Sequence, residues 1–267
     1  MARNEQLLEP NEAVLRGIED DAATYVFEAL QSWARTLFRG LSTVTAYQAL
    51  SRLDDPAIRI PLTDALIDVL RDVAYMGVDI GRQHNELALG TSTRKAINAM
   101  VDYDEVNTDV LQWAIQYGYS LVGGLTETTK TALALEIQRF VTSGEPLPKL
   151  VSRLSNPDTG LFSKARAQRI AATEVTRAYA QGNMEAWKAG GIVEKRRWKT
   201  AQDAIVAKCR ICAPMHNKVT TLNDPFDGPF GPIDIPAHVA CRCVMVPYVE
   251  ITIPDGWQPK YVKVRFS

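Results

Sequence analysis

The chain has 267 residues, of which 46% are hydrophobic, and this is enough for one large domain or two modest ones. Apolar residues never run uninterrupted for the ~18 positions that a membrane-spanning helix needs. The polar, acidic N-terminus lacks the pattern of a secretory signal peptide. These features argue against a membrane-embedded or exported protein and predict a soluble one that is made in a reducing cytoplasm.

The net charge of −1 hides an uneven distribution of charge along the chain. Residues 1–110 carry 10 Lys and Arg against 18 Asp and Glu, whereas residues 163–218 carry 12 against 4. Such a division predicts that the two regions bind different partners or contact each other. Ordinary solvated helix faces would give the same composition, so both interpretations stay open.

Hydrophobic periodicity predicts that the first half of the chain is helical. Proline disfavours helical geometry in the residue before it, so breaks are predicted at Asp54-Asp55-Pro56 and at Pro61. Gly123-Gly124 is predicted to be a turn. The predicted helices cover residues 12–53, 62–89, 95–118, 126–141 and 147–154.

The second half of the chain begins with a strong helical pattern over residues 163–190, which the pair Gly190-Gly191 ends. After it the composition changes, and residues 192–200 and 244–253 are typical of β-strands. The tail alternates between apolar and charged residues from Tyr261 to Phe266, a pattern suited to adding a strand to a partner.

Cysteine and histidine are concentrated in one part of the chain. All four cysteines and two of the three histidines fall within the 35 residues from Cys209 to Cys243. A C-x-x-C turn presents two thiolates that suit two corners of a tetrahedral zinc ion, and the later H-x-x-C-x-C group can supply the other corners. Six candidates compete for four places, and in order of preference they are Cys209, Cys212, His238 and Cys243, then Cys241 and His216.

The spacing of the last two cysteines limits how they can bind one ion. In an ideal strand, Cys241 and Cys243 would face the same side about 6.5 Å apart, so we expect a bent backbone or only one of them as a ligand. A structural zinc would contribute on the order of 10 kcal/mol to a region, residues 201–247, that is rich in turns and poor in apolar surface. Buried free thiols and disulfides are the alternatives.

These observations predict an α+β fold that is mostly α. A helical N-terminal body for protein docking would cover residues 1–155, and a small zinc-stapled α+β module would cover residues 156–250. Residues 251–267 would form a C-terminal tail.

The zinc-stapled region resembles the Mu F-like minor head proteins of tailed bacteriophages, also called phage head morphogenesis proteins. The resemblance covers roughly residues 115–247, about half of the chain, and its last element is the most specific. The matching features are the helix 169–182, the strand Arg197-Trp198 with Thr200, Ala201 and Asp203, the group from Cys209 to Val219, and Pro236-Ala-His238-Val-Ala-Cys241-Arg242-Cys243. Two departures are an apparent insertion over 204–208 and Asn217, where the family commonly has glycine.

The resemblance implies a low-copy structural protein of the virion, located in the head interior or at the portal vertex and present in the host cytoplasm during assembly. Its partners would be the portal protein and capsid components. Some relatives associate with DNA, so double-stranded DNA is a further partner to consider, whereas no membrane and no small-molecule substrate are implied. The role would lie in head morphogenesis and in genome packaging or delivery.

Basic residues of the second half are compatible with contact to phosphates or to an acidic portal surface. A solvated helix face explains them equally well. The candidates are Arg166, Arg169, Arg177, Lys188, Lys195, Arg196, Arg197 and Lys199.

Two enzymatic alternatives deserve comparison with the structural role. A zinc-stapled His-Asn-His-type nuclease needs a general-base histidine beside separate metal ligands, and too few histidines remain if His216 or His238 binds zinc. A zinc hydrolase needs an open coordination site and a carboxylate base such as Glu174 or Asp203, but cysteine-rich ligation is typical of closed structural sites. The sequence therefore favours a protein that is not an enzyme.

Overall fold

A computed structural model describes residues 8, 10–42, 45–89, 101–201, 203, 205–249, 257 and 259–266. The described chain is mostly helical and ends in a small β-rich part. The helices are α1 (Glu12–Phe38), α2 (Gln48–Arg52), α3 (Pro56–Ala88), α4 (Tyr103–Ser143), α5 (Leu147–Leu154) and α6 (Lys164–Gly190). The expected α+β, mostly α, fold class is confirmed.

Side chains at the helix starts define where the helices begin. Asn11, Asp55, Asp102 and Ser163 each accept hydrogen bonds from backbone N–H groups of the first turn, which otherwise have no partner inside a helix. The predicted break at Asp54-Asp55-Pro56 is thus confirmed as the start of α3.

Two predicted interruptions are wrong. Pro61 lies inside α3, within its first two turns. Gly123-Gly124 lies inside α4, which continues for 41 residues because a stripe of buried side chains runs along it on both sides of the glycines. Residues 95–100 of the predicted helix 95–118 lie outside the described part of the chain.

Helices α3 and α6 pack unusually closely through glycine. A Cβ atom on Gly77 would lie 2.6 Å from the carbonyl oxygen of Tyr179, and one on Gly81 would lie 2.6 Å from the Cβ atom of Ala186. Glycine removes this obstruction, so the backbones approach each other and bring α6 into the centre of the helical body, where it also packs against α1.

Short strands build the β-rich part. β1 (Lys195–Lys199) lies between β2 (Val219–Thr221) and β5 (Val244–Pro247) and pairs antiparallel with both. β3 (Phe226–Gly228) and β4 (Gly231–Ile233) form a separate hairpin. The predicted β-structure over 192–200 is confirmed, and the part of the predicted last strand at 250–253 lies outside the described residues.

Helix α6 contributes to both apolar cores of the molecule. Its first part, including Ile170 and Val175, belongs to the large helical core. Met184 and Trp187 belong to a second core with Trp198 and Phe226 of the β-rich part. Nothing tests the division at residue 155, which stays a prediction.

The tail packs on its own chain. Tyr261 and Phe266 contact the helical core, and the ring of Phe266 stacks on Tyr25 with 6.0 Å between centroids. The Tyr261 hydroxyl accepts a hydrogen bond from the backbone N–H of Asn11. No strand occurs among residues 259–266, so the expected strand-forming tail is an irregular segment here.

Candidate metal centre

The first pair of candidate ligands lies in a tight turn. The backbone N–H of Ala213 donates to the carbonyl of Cys209, and a short 3₁₀ helix, Ala213–Met215, follows Cys212 directly. The N–H of Cys212 also points at the Cys209 sulfur, at 3.4 Å. This turn folds the two thiols toward each other, as the C-x-x-C spacing predicts.

The second group of ligands lies in a loop that leads into β5. The N–H of Cys241 donates to the carbonyl of His238, which closes a turn. Ala240 within this turn has φ 59°, a left-handed conformation that is costly for a residue with a side chain. This turn precedes both cysteines. The sulfurs of Cys241 and Cys243 lie within 4.8 Å of each other, and whether both bind one ion stays a prediction.

The two groups converge. The Nε2 atom of His238 lies 3.4 Å from the sulfur of Cys209 and 3.1 Å from that of Cys212. Cys212 also lies 3.9 Å from the sulfur of Cys241. Two sets of candidate ligand atoms each fall within 4.8 Å: Cys209, Cys212 and His238, and then Cys212, Cys241 and Cys243. These five residues are called the cluster.

The cluster is buried and its thiols influence each other. Cys212, Cys241 and Cys243 are almost inaccessible to solvent. Hydrogen bonds from the Cys212 and Cys243 thiols lower the pKa of Cys241, whereas contacts with Cys241 and Cys243 raise the pKa of Cys212. Crowded thiols that share protons in this way are converted to thiolates together when a metal ion replaces the protons.

The other two candidate ligands, Cys209 and His238, are more accessible to solvent, and nearby backbone groups shift their pKa values. Burial raises the pKa of Cys209, but N–H groups of Cys212 and Ile211 outweigh it and bring that pKa below its ordinary value. Burial lowers the pKa of His238, but its hydrogen bond to the Val239 carbonyl and the neighbouring sulfurs outweigh this effect and raise it. The Nδ1–Val239 contact, at 2.8 Å, leaves Nε2 facing the sulfurs.

Two threonines of α6 hold the ligand loop, and sequence reasoning missed both. The N–H of Ala240 donates to the Thr173 hydroxyl, and the Thr176 hydroxyl donates to the Cys241 carbonyl, each at 2.8 Å. Their spacing of three residues places both on one face of the helix. That spacing was visible in the sequence, but nothing in it named the loop as the partner.

Charged residues tie the cluster to α1. Arg242 lies between two candidate ligands, and its Nε donates to the Glu19 carboxylate at 2.9 Å. Arg16 of the same helix lies 3.7 Å from Asp203. Arg242 lies outside the basic stretch 163–218, and in the second pair the N-terminal region supplies the arginine, so these pairs do not decide between the two interpretations of the charge distribution.

His216 belongs to neither set of clustered ligand atoms. Its Nδ1 lies 2.8 Å from the Thr200 hydroxyl, and the neighbouring Asn217 takes the left-handed conformation expected of it, with φ 65°. His216, the sixth candidate ligand of the sequence, thus lies outside the two sets of clustered atoms.

The possible carboxylate bases have structural contacts. Glu174 is buried, and Arg177 donates to it at 3.1 Å while its guanidinium lies over the Tyr117 ring. Burial raises the pKa of Glu174, and burial together with this carboxylate raises the pKa of Tyr117 to about 12. Asp203 accepts hydrogen bonds from the N–H groups of residues 205 and 206. Both carboxylates thus stabilise local structure.

Several basic candidates have internal partners. Arg196 is 3% exposed and grips Asp234 through two nitrogens, and Lys199 is also buried. Arg166 donates to the Leu161 carbonyl and the Thr129 hydroxyl. Contact with phosphates or with a portal surface is therefore not expected for Arg196 and Lys199, because their side chains lie inside the fold. Among the candidates, Arg169, Lys188 and Lys195 are exposed, and Arg166, Arg177 and Arg197 are half-buried.

None of the described helices combines the length and apolar character required to cross a membrane. Comparison with curated proteins gives no match, and comparison with solved structures gives none either. The family model described as Phage Mu protein F like protein matches residues 131–246, a segment that contains the whole cluster and α6. The match covers 116 of the 267 residues, and this segment is similar to the phage Mu F-like family, in agreement with the resemblance seen in the sequence.

Proposed function

We propose that the chain is a minor structural protein of a tailed-phage head, active in head morphogenesis, and that a structural zinc ion staples its C-terminal module. The match of residues 131–246 to the phage Mu F-like family model supports the role in the phage head. The observation that carries the zinc ion is the convergence of two ligand groups, separated by more than 20 residues of sequence, within the segment that matches the family. Location at the portal vertex, a part in genome packaging or delivery, and contact with DNA are finer parts of this proposal.

Several distances in the cluster match those of a tetrahedral zinc site. With Zn–S near 2.3 Å and Zn–N near 2.0 Å, tetrahedral geometry puts two sulfurs about 3.8 Å apart and a sulfur and a nitrogen about 3.5 Å apart. The sulfurs of Cys212 and Cys241 are 3.9 Å apart, and Nε2 of His238 is 3.4 Å from Cys209. Among the described residues, no four of the candidate ligand atoms lie within 4.8 Å of one another, so side chains must move closer together when a metal ion binds. We propose Cys209, Cys212 and His238 as three ligands and Cys241 as the fourth, because its sulfur is 3.9 Å from that of Cys212. Cys243 would then be an adjacent thiol, although the sequence placed it before Cys241.

The C-terminal module has few stabilising interactions of its own, which supports a stabilising role for a metal ion. Its sheet consists of strands of three to five residues, and its second core is small and completed by α6. A structural zinc ion, which contributes on the order of 10 kcal/mol, would offset the chain entropy of the connecting loops.

Metal analysis of the purified chain tests the zinc centre. We expect one zinc per chain, lost in Cys209→Ser, Cys212→Ser and Cys241→Ser and kept in Cys243→Ser. His216→Ala is the matched control, because it removes a nearby imidazole from outside the cluster and should keep the zinc. A wild-type chain without stoichiometric zinc would refute the centre, and zinc kept by Cys241→Ser but lost by Cys243→Ser would refute the choice of fourth ligand.

Mass spectrometry of purified phage particles tests the structural role. The chain should be present at low copy number, and particles made without it should show defective heads or fail to deliver DNA. A nuclease would instead cleave plasmid DNA in a metal-dependent reaction that His216→Ala abolishes. Absence from particles together with such cleavage would replace the proposed role by the enzymatic one.

A further inference from the structure

The β3–β4 hairpin presents an aromatic side chain to solvent. Phe226 at its base is buried and meets the ring of Trp198 edge-on, with 5.1 Å between centroids, which anchors the hairpin to the second core. Phe230 at its tip is 79% exposed, more than any other large apolar side chain in the described part of the chain. Pro229 precedes it and Gly231-Pro232 follows it, and the two prolines restrict the backbone of the tip, which lowers the entropic cost of ordering the tip in a contact.

A cleft of about 370 Å³ opens between α4, α6 and the β-rich part. One wall is the pair Trp113 and Tyr117, whose stacked rings are parallel within 1°, with 5.5 Å between their centroids. Met184 and Met245 are among the other lining residues, and the exposed Lys188 also lines it. Aromatic rings and flexible methionines are the side chains that most often receive an apolar anchor at protein interfaces.

We propose that the Phe230 hairpin of one copy of this chain inserts into the cleft of a second copy. The cleft is large enough for an aromatic ring, and burial there would remove the most exposed apolar side chain from water. Charge favours the same arrangement, because the exposed Asp227 precedes the tip, whereas three basic residues and one acidic residue line the cleft: Arg177, Lys188, Arg196 and Asp234. Lys188 also pairs with Glu185 of its own helix, so the attraction is moderate. This self-association goes beyond the proposed function and does not depend on a role in the phage head.

Each copy carries both halves of the contact. The chain can therefore pair reciprocally, with two hairpins in two clefts, or link head to tail. Both arrangements require Phe230 and an open cleft, so the same variants test them.

Sedimentation velocity of the zinc-loaded full chain over a range of concentrations tests the contact. We expect wild-type self-association with a Kd of roughly 1–100 µM, weakened at least about 30-fold by Phe230→Ser. Ile205→Ser is the matched control, since Ile205 is 74% exposed and lies outside the hairpin and the cleft. It should leave association unchanged. A monomeric wild type, or equal weakening by both variants, would overturn the proposal.

A mixing experiment isolates the pairing of hairpin and cleft. Gln181 lines the cleft, and Gln181→Trp should fill it and abolish association while keeping zinc content and helicity at wild-type values. Each variant alone then lacks one half of the contact. An equimolar mixture of Phe230→Ser and Gln181→Trp should regain dimers, because the intact hairpin of one meets the intact cleft of the other. Failure of the mixture to associate, when each variant is folded, would contradict the proposal.

Discussion

His84 lies in the interior of the helical body, with its ring 5.9 Å from that of Trp187. The backbone of Leu8 approaches the imidazole, but neither ring nitrogen makes a well-formed hydrogen bond within the described part of the chain. Burial therefore lowers the pKa of His84 to about 4, from an ordinary value of 6.5. The folded chain keeps this histidine neutral at pH values where the unfolded chain would protonate it.

Acid should thus destabilise the fold through His84. As pH falls below 6.5 the unfolded state binds a proton first, so the contribution of neutral His84 to the free energy of unfolding is lost until pH reaches about 4. The full loss is about 3 kcal/mol at 1.36 kcal/mol per pKa unit. Urea unfolding of wild type and His84→Leu at several pH values measures it as the pH dependence of their difference. A difference that does not change between pH 7 and pH 4 would contradict the assignment.

At the scale of elements, two glycines that look alike in the sequence have opposite effects on the stability of the helices. Gly182 lies where α6 meets α3, and a Cβ atom there would overlap the carbonyl oxygen of Ala74 and lie 2.8 Å from the backbone nitrogen of Val78. Gly124 lies inside α4, and a Cβ atom there would meet nothing within 4 Å. The first permits close helix packing, whereas the second only weakens its helix.

The two alanine substitutions should therefore change stability in opposite directions. Gly182→Ala must push two backbones apart and should lower the free energy of unfolding by about 3 kcal/mol or more. Gly124→Ala removes the entropic cost of glycine in an exposed helix and should raise it by about 1 kcal/mol. Chemical denaturation of both variants measures the changes. A neutral Gly182→Ala would show that α3 and α6 do not approach as closely as described.

At the scale of the whole molecule, the two cores depend on different interactions. The helical core consists of long helices packed through large apolar side chains, such as Trp33, Leu66 and Phe162. The second core rests on short strands and on the cluster of Cys209, Cys212, His238, Cys241 and Cys243. Removal of a bound metal should consequently affect the two cores unequally.

Chelation should open the C-terminal module before the helical body. Trypsin should then cleave after Arg210 and Arg242, which neighbour the cluster, while sites such as Arg71 in α3 stay protected. Mass spectrometry of the fragments, with and without chelator, identifies the sites, and restored zinc should suppress the cleavage. Identical digestion patterns in the two conditions would show that the metal does not stabilise the module.

The sequence predicted features that depend on local pattern. Helix 147–154 and the long helix ending at Gly190 follow from periodicity and end signals, and the cysteine spacing indicated the cluster. Features set by distant contacts could not be predicted in this way. The left-handed turn at Ala240 was not visible in the cysteine spacing, and the Glu19–Arg242 pair joins residues 223 positions apart.

The sharing of α6 between two cores restricts how its length can change. An α-helix turns by about 100° per residue, so inserting or deleting one residue between Val175 and Met184 would rotate all buried residues on one side of the change. Those residues contribute to both cores, since Ala186 packs in the helical core and Trp187 in the second one. Thr173 and Thr176 would keep or lose their hold on the ligand loop according to which side shifted. We therefore expect insertions and deletions in surface connections such as residues 155–160 and not in this helix, because no buried face has to keep its direction in those connections.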